Sequence, residues 1–80
     1  MSNYISQTYF RKLFKHAYGL SPIEYLNNIR INKAKRMLCH GRDPIGEISR
    51  KTGFCDIFYF SRTFKSKVGI SPKDFRKQTL

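Results

Sequence analysis

The sequence is poor in acidic residues, has two cysteines and contains no tryptophan. Only 5 Asp and Glu stand against 16 Lys and Arg, which gives a formal net charge of +11 at pH 7. Solubility alone is served by a net charge of about 2 to 8. The excess of positive charge therefore predicts a polyanionic partner.

The two cysteines, Cys39 and Cys55, lack the CxxC spacing of a zinc knuckle or a redox motif. We expect both to be small buried apolar residues. A mixed metal site formed with His16 and His40 is the alternative, and the missing ligand spacing disfavours it. We expect neither a metal nor another cofactor.

Long apolar runs are also missing: no stretch approaches 18 apolar residues, and no apolar segment follows a basic N-terminus. The sequence thus predicts neither a membrane span nor a secretory signal, and we expect a cytoplasmic chain. Eighty residues bury only about 60% of their unfolded surface, too little to enclose a large pocket, so we expect no enzyme. A composition of 40% hydrophobic and 15% aromatic residues nevertheless predicts a folded chain.

An internal repeat with a constant offset of 50 residues organises the chain. The first copy, Tyr9, Phe10, Phe14, Lys15, Gly19, Ser21 and Pro22, recurs as Tyr59, Phe60, Phe64, Lys65, Gly69, Ser71 and Pro72. Tyr4 and Tyr25 match Phe54 and Phe75 outside this segment. Each copy predicts a helix with paired aromatic residues, a glycine that ends it, and a second helix start.

The second helix start in each copy carries the residues of a capped N-terminus. Ser21 and Ser71 are predicted N-caps, and each is followed by proline at the first helical position. Glu24 and Asp74 complete the Ser-x-x-acid pattern of a capping box.

A long amphipathic helix is predicted between the copies, from Pro22 to about Cys39, and Gly41 ends it. Its apolar stripe contains Ile23, Leu26, Ala34, Met37 and Leu38. Arg30 lies within this stripe, so its guanidinium needs a carboxylate, carbonyls or a phosphate as partner, and we favour a structural role.

Asp43 and Pro44 repeat the cap-plus-proline pattern and predict a short helix that runs to Thr52. A tight turn at Gly53 follows, and Asp56 is the predicted N-cap of the next helix. Short helix, turn and second helix together form a helix-turn-helix unit, in which the second helix enters the DNA major groove.

The predicted architecture is all-α: one complete C-terminal helix-turn-helix unit and an incomplete N-terminal unit, joined by a long linking helix. We expect a single domain over residues 1–80. It comprises a partial first unit at 1–20, the linking helix at 22–40, the second unit at 44–67 and a C-terminal helix at 72–78.

Helical periodicity separates two faces on each recognition helix. In the second, the predicted core face contains Ile57, Phe60, Phe64 and Val68, and the outward face contains Phe58, Tyr59, Arg62 and Ser66. In the first, Phe10 and Phe14 point inward, and the outward face contains Thr8, Lys12 and His16, with Arg11 and Lys15 at its margins.

The outward residues suggest specific contacts with DNA. Arg62 and Lys12 are central and can donate to guanine O6 and N7. Thr8 and Phe58 suit a thymine methyl group, although Phe58 could instead pack on its neighbour Tyr59 or on a neighbouring turn. The predicted phosphate contacts are Lys15, Ser21, Lys65 and Ser71. For the two lysines, the alternative is a basic face that is merely solvated.

The segment from Ile45 to Arg76 reads IGEISRKTGFCDIFYFSRTFKSKVGISPKDFR and resembles the signature of AraC/XylS-type bacterial transcription regulators. Residues 6–19 and 30–38 are similar to the first recognition helix and the linking helix of that family. The resemblance implies a seven-helix DNA-binding domain whose two units enter successive major grooves. By position, it implies base contacts by Thr8, Arg11, Lys12, Ile57, Phe58, Ser61 and Arg62.

We expect double-stranded DNA and RNA polymerase as partners, and no membrane. The resemblance also implies helices before Tyr4 that would cover Tyr4, Ile5, Phe10 and Phe14; without them, an apolar surface is open to solvent. A dimer could bury this surface. The alternative function is a truncated remnant that binds nucleic acid non-specifically through its basic surface, and a membrane-active cationic peptide is a third, less favoured possibility.

Overall fold

The computed structural model describes residues 6–79, and all regular elements in that range are helices. In chain order these are α1 (Gln7–Tyr18), α2 (Pro22–His40), α3 (Ile45–Lys51), α4 (Ile57–Val68) and α5 (Pro72–Gln78). The predicted all-α class is confirmed. The predictions for Tyr4 and Ile5 lie outside the described residues.

The N-terminus of α2 is closed by the predicted capping box. The Ser21 N–H donates to Glu24 Oε1 at 3.0 Å, and the Glu24 N–H donates to Ser21 Oγ at 3.3 Å. At α5, the Asp74 N–H donates to Ser71 Oγ at 3.1 Å, but the reciprocal carboxylate bond is not formed between these two residues. The box predicted for Asp74 is therefore only half present.

The start of α3 differs from the prediction. Pro44, in an extended conformation with ψ 154°, occupies the N-cap position itself, and no side chain caps the helix. Asp43 lies one residue too early to act as the cap, and its carboxylate instead pairs with Lys51 Nζ at 3.0 Å. The prediction of Asp43 as N-cap is wrong.

The buried core lies in the C-terminal two thirds of the chain. It consists of Ile31, Ala34, Leu38, Ile48, Phe54, Phe60 and Phe64, and Met37, Ile45, Val68 and Phe75 pack against it. No residue of α1 is buried. The core is therefore built where α3, α4 and α5 cover the second half of α2.

Several burial predictions are wrong. Ile57 is 40% exposed because it begins α4 beyond the edge of the core. Ile23 and Leu26 are exposed because α1 covers only part of the N-terminal half of α2. Cys55, in the turn before α4, is exposed, and Cys39 is half-buried.

The described chain is elongated, with extents of 53 × 21 × 20 Å along its principal axes. Its long dimension follows from α2, whose 19 residues span about 28 Å. Among the described residues, no helix combines the length and the hydrophobicity needed to cross a bilayer.

Candidate nucleic-acid interface

The turn between α3 and α4 sets the direction of α4. Gly53 adopts a φ of +97°, a left-handed conformation that side-chain-bearing residues rarely accept. The Phe54 N–H then donates to the Ser49 carbonyl at 3.0 Å, and the buried Thr52 hydroxyl donates to the Ile48 carbonyl at 2.7 Å. These bonds return the chain sharply, so α4 leaves at a defined angle from α3.

Arg30 packs against this turn. Its guanidinium carbon lies 5.6 Å from the centre of the Phe54 ring, a distance typical of a cation–π contact. A Cβ on Gly53 would stand 3.0 Å from Arg30 Nε, so the absence of a side chain at Gly53 leaves room for the guanidinium. This stacked position supports the structural role expected for Arg30.

The two faces of α4 differ sharply in burial. Phe60 and Phe64 are fully buried, as predicted, and they fix the rotation of the helix about its axis. Arg62, Lys65 and Ser66 are exposed on the other side, and Ser61 is half-buried at the margin.

Phe58 lies on the exposed side of α4, and its side chain is 71% accessible to solvent. This exposure does not favour the alternative in which Phe58 packs on Tyr59. The Phe58 N–H donates to Asp56 Oδ1 at 2.9 Å, which confirms Asp56 as the N-cap of α4.

Tyr59 was expected on the outward face, but it packs at the boundary between α4 and α2. Its ring centre lies 5.6 Å from that of Phe54, and its hydroxyl accepts a hydrogen bond of 3.0 Å from Asn27 Nδ2. The side chain remains 38% exposed. Asn27 is buried in α2 and was missed, because a single asparagine in a helical pattern gives no sign of a partner 32 residues away.

In α1 every residue except Phe14 is exposed, so burial does not distinguish the predicted outward face from the rest of the helix. Exposed side chains are found at Thr8, Arg11, Lys12, Lys15 and His16. Phe14 is half-buried, but Phe10 is 48% exposed although the equivalent Phe60 is fully buried. The described residues therefore cover the inward face of α1 only in part.

Ionised carboxylates are absent from both recognition helices, because neither α1 nor α4 contains Asp or Glu. Two other carboxylates are paired near α3: Glu47 Oε2 lies 2.7 Å from Arg50 Nη2, and Asp43 pairs with Lys51. The hydrogen bond from Arg50 lowers the pKa of Glu47 and correspondingly raises the pKa of Arg50. The exposed faces of α1 and α4 therefore present positive charge only.

The N-terminus of α2 already carries a carboxylate. The Ser21 N–H donates to Glu24, and this bond lowers the pKa of Glu24 below its usual value. The negative charge occupies the position at which Ser21 was expected to meet a phosphate. The Ser71 N–H of α5 makes no such bond to Asp74, so the equivalent position there is less obstructed.

Within residues 6–79, no three histidine, cysteine or acidic side chains are grouped so that they could hold a metal ion. The grooves on the described surface that are large enough for a small molecule are open to solvent and not enclosed. One of them, of about 380 Å³, lies between α1 and the start of α2 and includes Phe10, Ile23 and Leu26 in its walls. It is part of the apolar surface left open by α1.

Comparison with known proteins adds independent observations. Residues 3–78 match the model of a family described as a helix-turn-helix domain. The chain is 39% identical over 72 residues to the arabinose operon regulatory protein of Escherichia coli, and the matched region covers 90% of this chain and 25% of that protein. It is 38% identical over 71 residues to the transcriptional activator RhaS of Escherichia fergusonii, covering 89% and 25%. The chain thus spans about a quarter of the length of these relatives.

Solved structures are similar over nearly the whole chain. The C-terminal domain of the two-component response regulator yesN from Fusobacterium nucleatum has a TM-score of 0.85 and 35% identity, covering 90% of this chain and 70% of that one. The DNA-binding domain of the global transcriptional factor AdpA, solved in complex with a target DNA, has a TM-score of 0.85 and 25% identity, covering 94% and 68%.

Proposed function

This chain belongs to the AraC-type family of helix-turn-helix domains, and from that premise we propose that it binds specific sequences of double-stranded DNA and thereby regulates transcription. The recognition helices α1 and α4 enter the major groove. The observation that carries the proposal is the rotation of α4: two fully buried phenylalanines hold Arg62 and Phe58 outward, where they can reach base edges.

Base reading is assigned to the outward residues of both helices. Arg62 and Lys12 donate to guanine, and Thr8 and Phe58 contact thymine methyl groups. Three further residues, Arg11, Ile57 and Ser61, complete the predicted base contacts. Ile57 now supports such a contact better than it supports a core position, because it is 40% exposed. The complete predicted set is Thr8, Arg11, Lys12, Ile57, Phe58, Ser61 and Arg62.

Phosphate contacts position the domain on the duplex without reading its sequence. Lys15 and Lys65 occupy equivalent places in the last turns of α1 and α4 and are exposed. Ser71 adds the N-terminus of α5. Ser21 remains in the proposal as a hydroxyl contact only, because its N–H is engaged by Glu24.

The linking helix sets the distance between the two half-sites. Its span of about 28 Å approaches the 34 Å of one turn of B-DNA. Because α1 and α4 follow one another in a single chain rather than in a symmetric dimer, we expect one monomer to read a direct, asymmetric site.

Two further partners belong to the proposal. A dimer would bury the exposed apolar surface around Phe10. Large exposed apolar patches commonly mark sites of protein–protein contact. RNA polymerase is the expected partner for activation, since a similar protein is named as a transcriptional activator.

Selection of bound sequences from a random DNA pool tests this function. We expect enrichment of two short motifs whose centres lie about one helical turn apart, about 10 base pairs. Enrichment of a single motif would remove α1 from the proposed mechanism. No enrichment, despite binding, would leave only non-specific attraction between the basic surface and nucleic acid.

A further inference from the structure

Tyr59 is held at both ends of its side chain. The ring packs against Phe54, with centres 5.6 Å apart and planes inclined by 59°. The hydroxyl oxygen accepts from Asn27 Nδ2 at 3.0 Å, and Asn27 itself is only 6% exposed. The position of the Tyr59 hydroxyl oxygen is therefore fixed relative to both α2 and α4.

The direction of this hydrogen bond leaves the hydroxyl proton available. A side-chain amide nitrogen donates and cannot accept, so the Tyr59 oxygen is the acceptor in this contact. Among the residues that the structure describes, the buried Asn27 Oδ1 has no hydrogen-bond partner, so the Tyr59 hydroxyl does not donate to it. With 38% of the side chain exposed, the proton can point away from α2 toward an external acceptor.

The location of Tyr59 indicates what that acceptor is. Tyr59 precedes Arg62 by three residues, so the two are neighbours on the surface of α4. Arg62 is central on the outward face, and Tyr59 is at the edge of that face beside α2. When a helix lies in the major groove, groups at its edge face the sugar–phosphate backbone. Phosphate oxygens accept hydrogen bonds from tyrosine hydroxyls, among other donors.

We propose that the Tyr59 hydroxyl donates a hydrogen bond to one DNA phosphate and that Asn27 acts as the positioning residue that directs it. The inference rests on the proposed function, since it requires α4 in the major groove. It adds a phosphate contact from an uncharged side chain to the contacts already assigned to the lysines. The contact fixes the approach of α4 to the duplex from the side of α2.

A scan of single neutral phosphates tests the contact. Duplexes that contain the selected site would each carry one methylphosphonate, and their affinities would be measured for the unmodified protein and for Tyr59→Phe. At one phosphate, we expect the loss caused by neutralisation to be about tenfold larger for the unmodified protein, the order expected for a hydrogen bond to a charged acceptor. The salt slope should be equal for the two proteins, because no charge is removed from the protein.

Two variants isolate the role of Asn27. Tyr9→Phe removes the equivalent hydroxyl of α1, for which the structure shows no hydrogen bond to a described residue, and should change affinity less than twofold. Asn27→Asp replaces the donor by an acceptor that takes the Tyr59 proton, so it should abolish the effect of the same methylphosphonate although Tyr59 is intact. Thermal melting verifies that this variant folds; if it does not, the comparison of Tyr59→Phe with Tyr9→Phe decides.

The outcomes separate this inference from the function on which it rests. Identical methylphosphonate profiles for the unmodified protein and Tyr59→Phe, with specific binding retained, would overturn the Tyr59 contact and leave the proposed function standing. Equal losses for Tyr9→Phe and Tyr59→Phe would overturn the positioning role of Asn27. Absence of specific binding by the unmodified protein would overturn both proposals.

Discussion

The rings of Phe14 and Tyr25 stand edge to face, with centres 5.5 Å apart and planes inclined by 80°. Fifty residues later, Phe64 and Phe75 repeat this arrangement at 5.5 Å and 71°. The internal repeat of the sequence is therefore also a repeat of packing: each recognition helix is fastened to the helix that follows it by the same aromatic pair. The two units differ in what covers the other side of the recognition helix.

That difference predicts unequal costs for equivalent truncations. Phe60 is fully buried in the core, so Phe60→Ala should lower the free energy of unfolding by about 3–5 kcal/mol. Phe10 is 48% exposed, so Phe10→Ala should cost about 1 kcal/mol or less. Urea unfolding followed by circular dichroism measures both. Equal losses would show that α1 is covered in solution as completely as α4.

Gly53 and Gly46 form a second matched pair. Gly53→Ala should destabilise the protein by at least about 1–2 kcal/mol, because φ is +97° and the new Cβ would stand 3.0 Å from Arg30 Nε. Gly46 lies within α3, where the nearest atom to a new Cβ, Ile57 Cδ1, is 3.7 Å away.

Gly46→Ala should therefore stabilise the protein by about 0.5–1 kcal/mol through helix propensity. Thermal unfolding of the two variants checks the opposite signs. A neutral effect of Gly53→Ala would mean that the turn and Arg30 adjust freely, contrary to the packing described for them.

Hydrogen exchange should distinguish the two units. No residue of α1 is buried, whereas α3 and α4 contribute Ile48, Phe60 and Phe64 to the core. Amides of residues 7–18 should therefore exchange through local opening, well before those of residues 45–68. Mass spectrometry of exchanged peptides resolves the two regions. Equally slow exchange in α1 would indicate that another surface covers it, with a dimer as the first candidate to test by its concentration dependence.

The capping box of α2 predicts a pH dependence. Glu24 has a lowered pKa in the folded chain, chiefly because the Ser21 N–H donates to its carboxylate. Its contribution to stability is thus present above the unfolded pKa and is lost as the pH falls through the folded pKa. Glu24→Gln can still accept from Ser21 but cannot titrate, so the loss of stability on acidification should be smaller in this variant. An unchanged acid limb in the unfolding curve would rule out this role for Glu24.

The repeat, the N-caps Ser21, Asp56 and Ser71, and the two buried phenylalanines of α4 were predictable because they depend on local chemistry. Glycine, Ser-Pro and aromatic residues four apart specify helix ends and faces whatever the surroundings. The fully buried Phe60 and Phe64 are the clearest case.

Exposure of Ile23, Leu26 and Ile57 was not predictable from periodicity. A helical pattern shows which residues share a stripe, but not how much of the stripe a neighbouring helix covers. The Asn27–Tyr59 contact depends on the crossing of α2 and α4, and the pairing of Asp43 with Lys51 depends on the path of the chain into α3. These relations arise only from tertiary packing. All of the base-contacting residues likewise remain predictions.

The comparison of Arg62→Ala with Lys65→Ala, each titrated with the selected site and with random duplex DNA, tests the central claim most directly. We predict that Arg62→Ala weakens binding to the selected site by about 1–3 kcal/mol, relaxes the preference at one base pair and leaves random DNA much less affected. Lys65→Ala should weaken binding to both duplexes alike and reduce the salt slope by about one. Equal losses on both duplexes for Arg62→Ala would contradict the account, because α4 would then contribute charge and not sequence recognition.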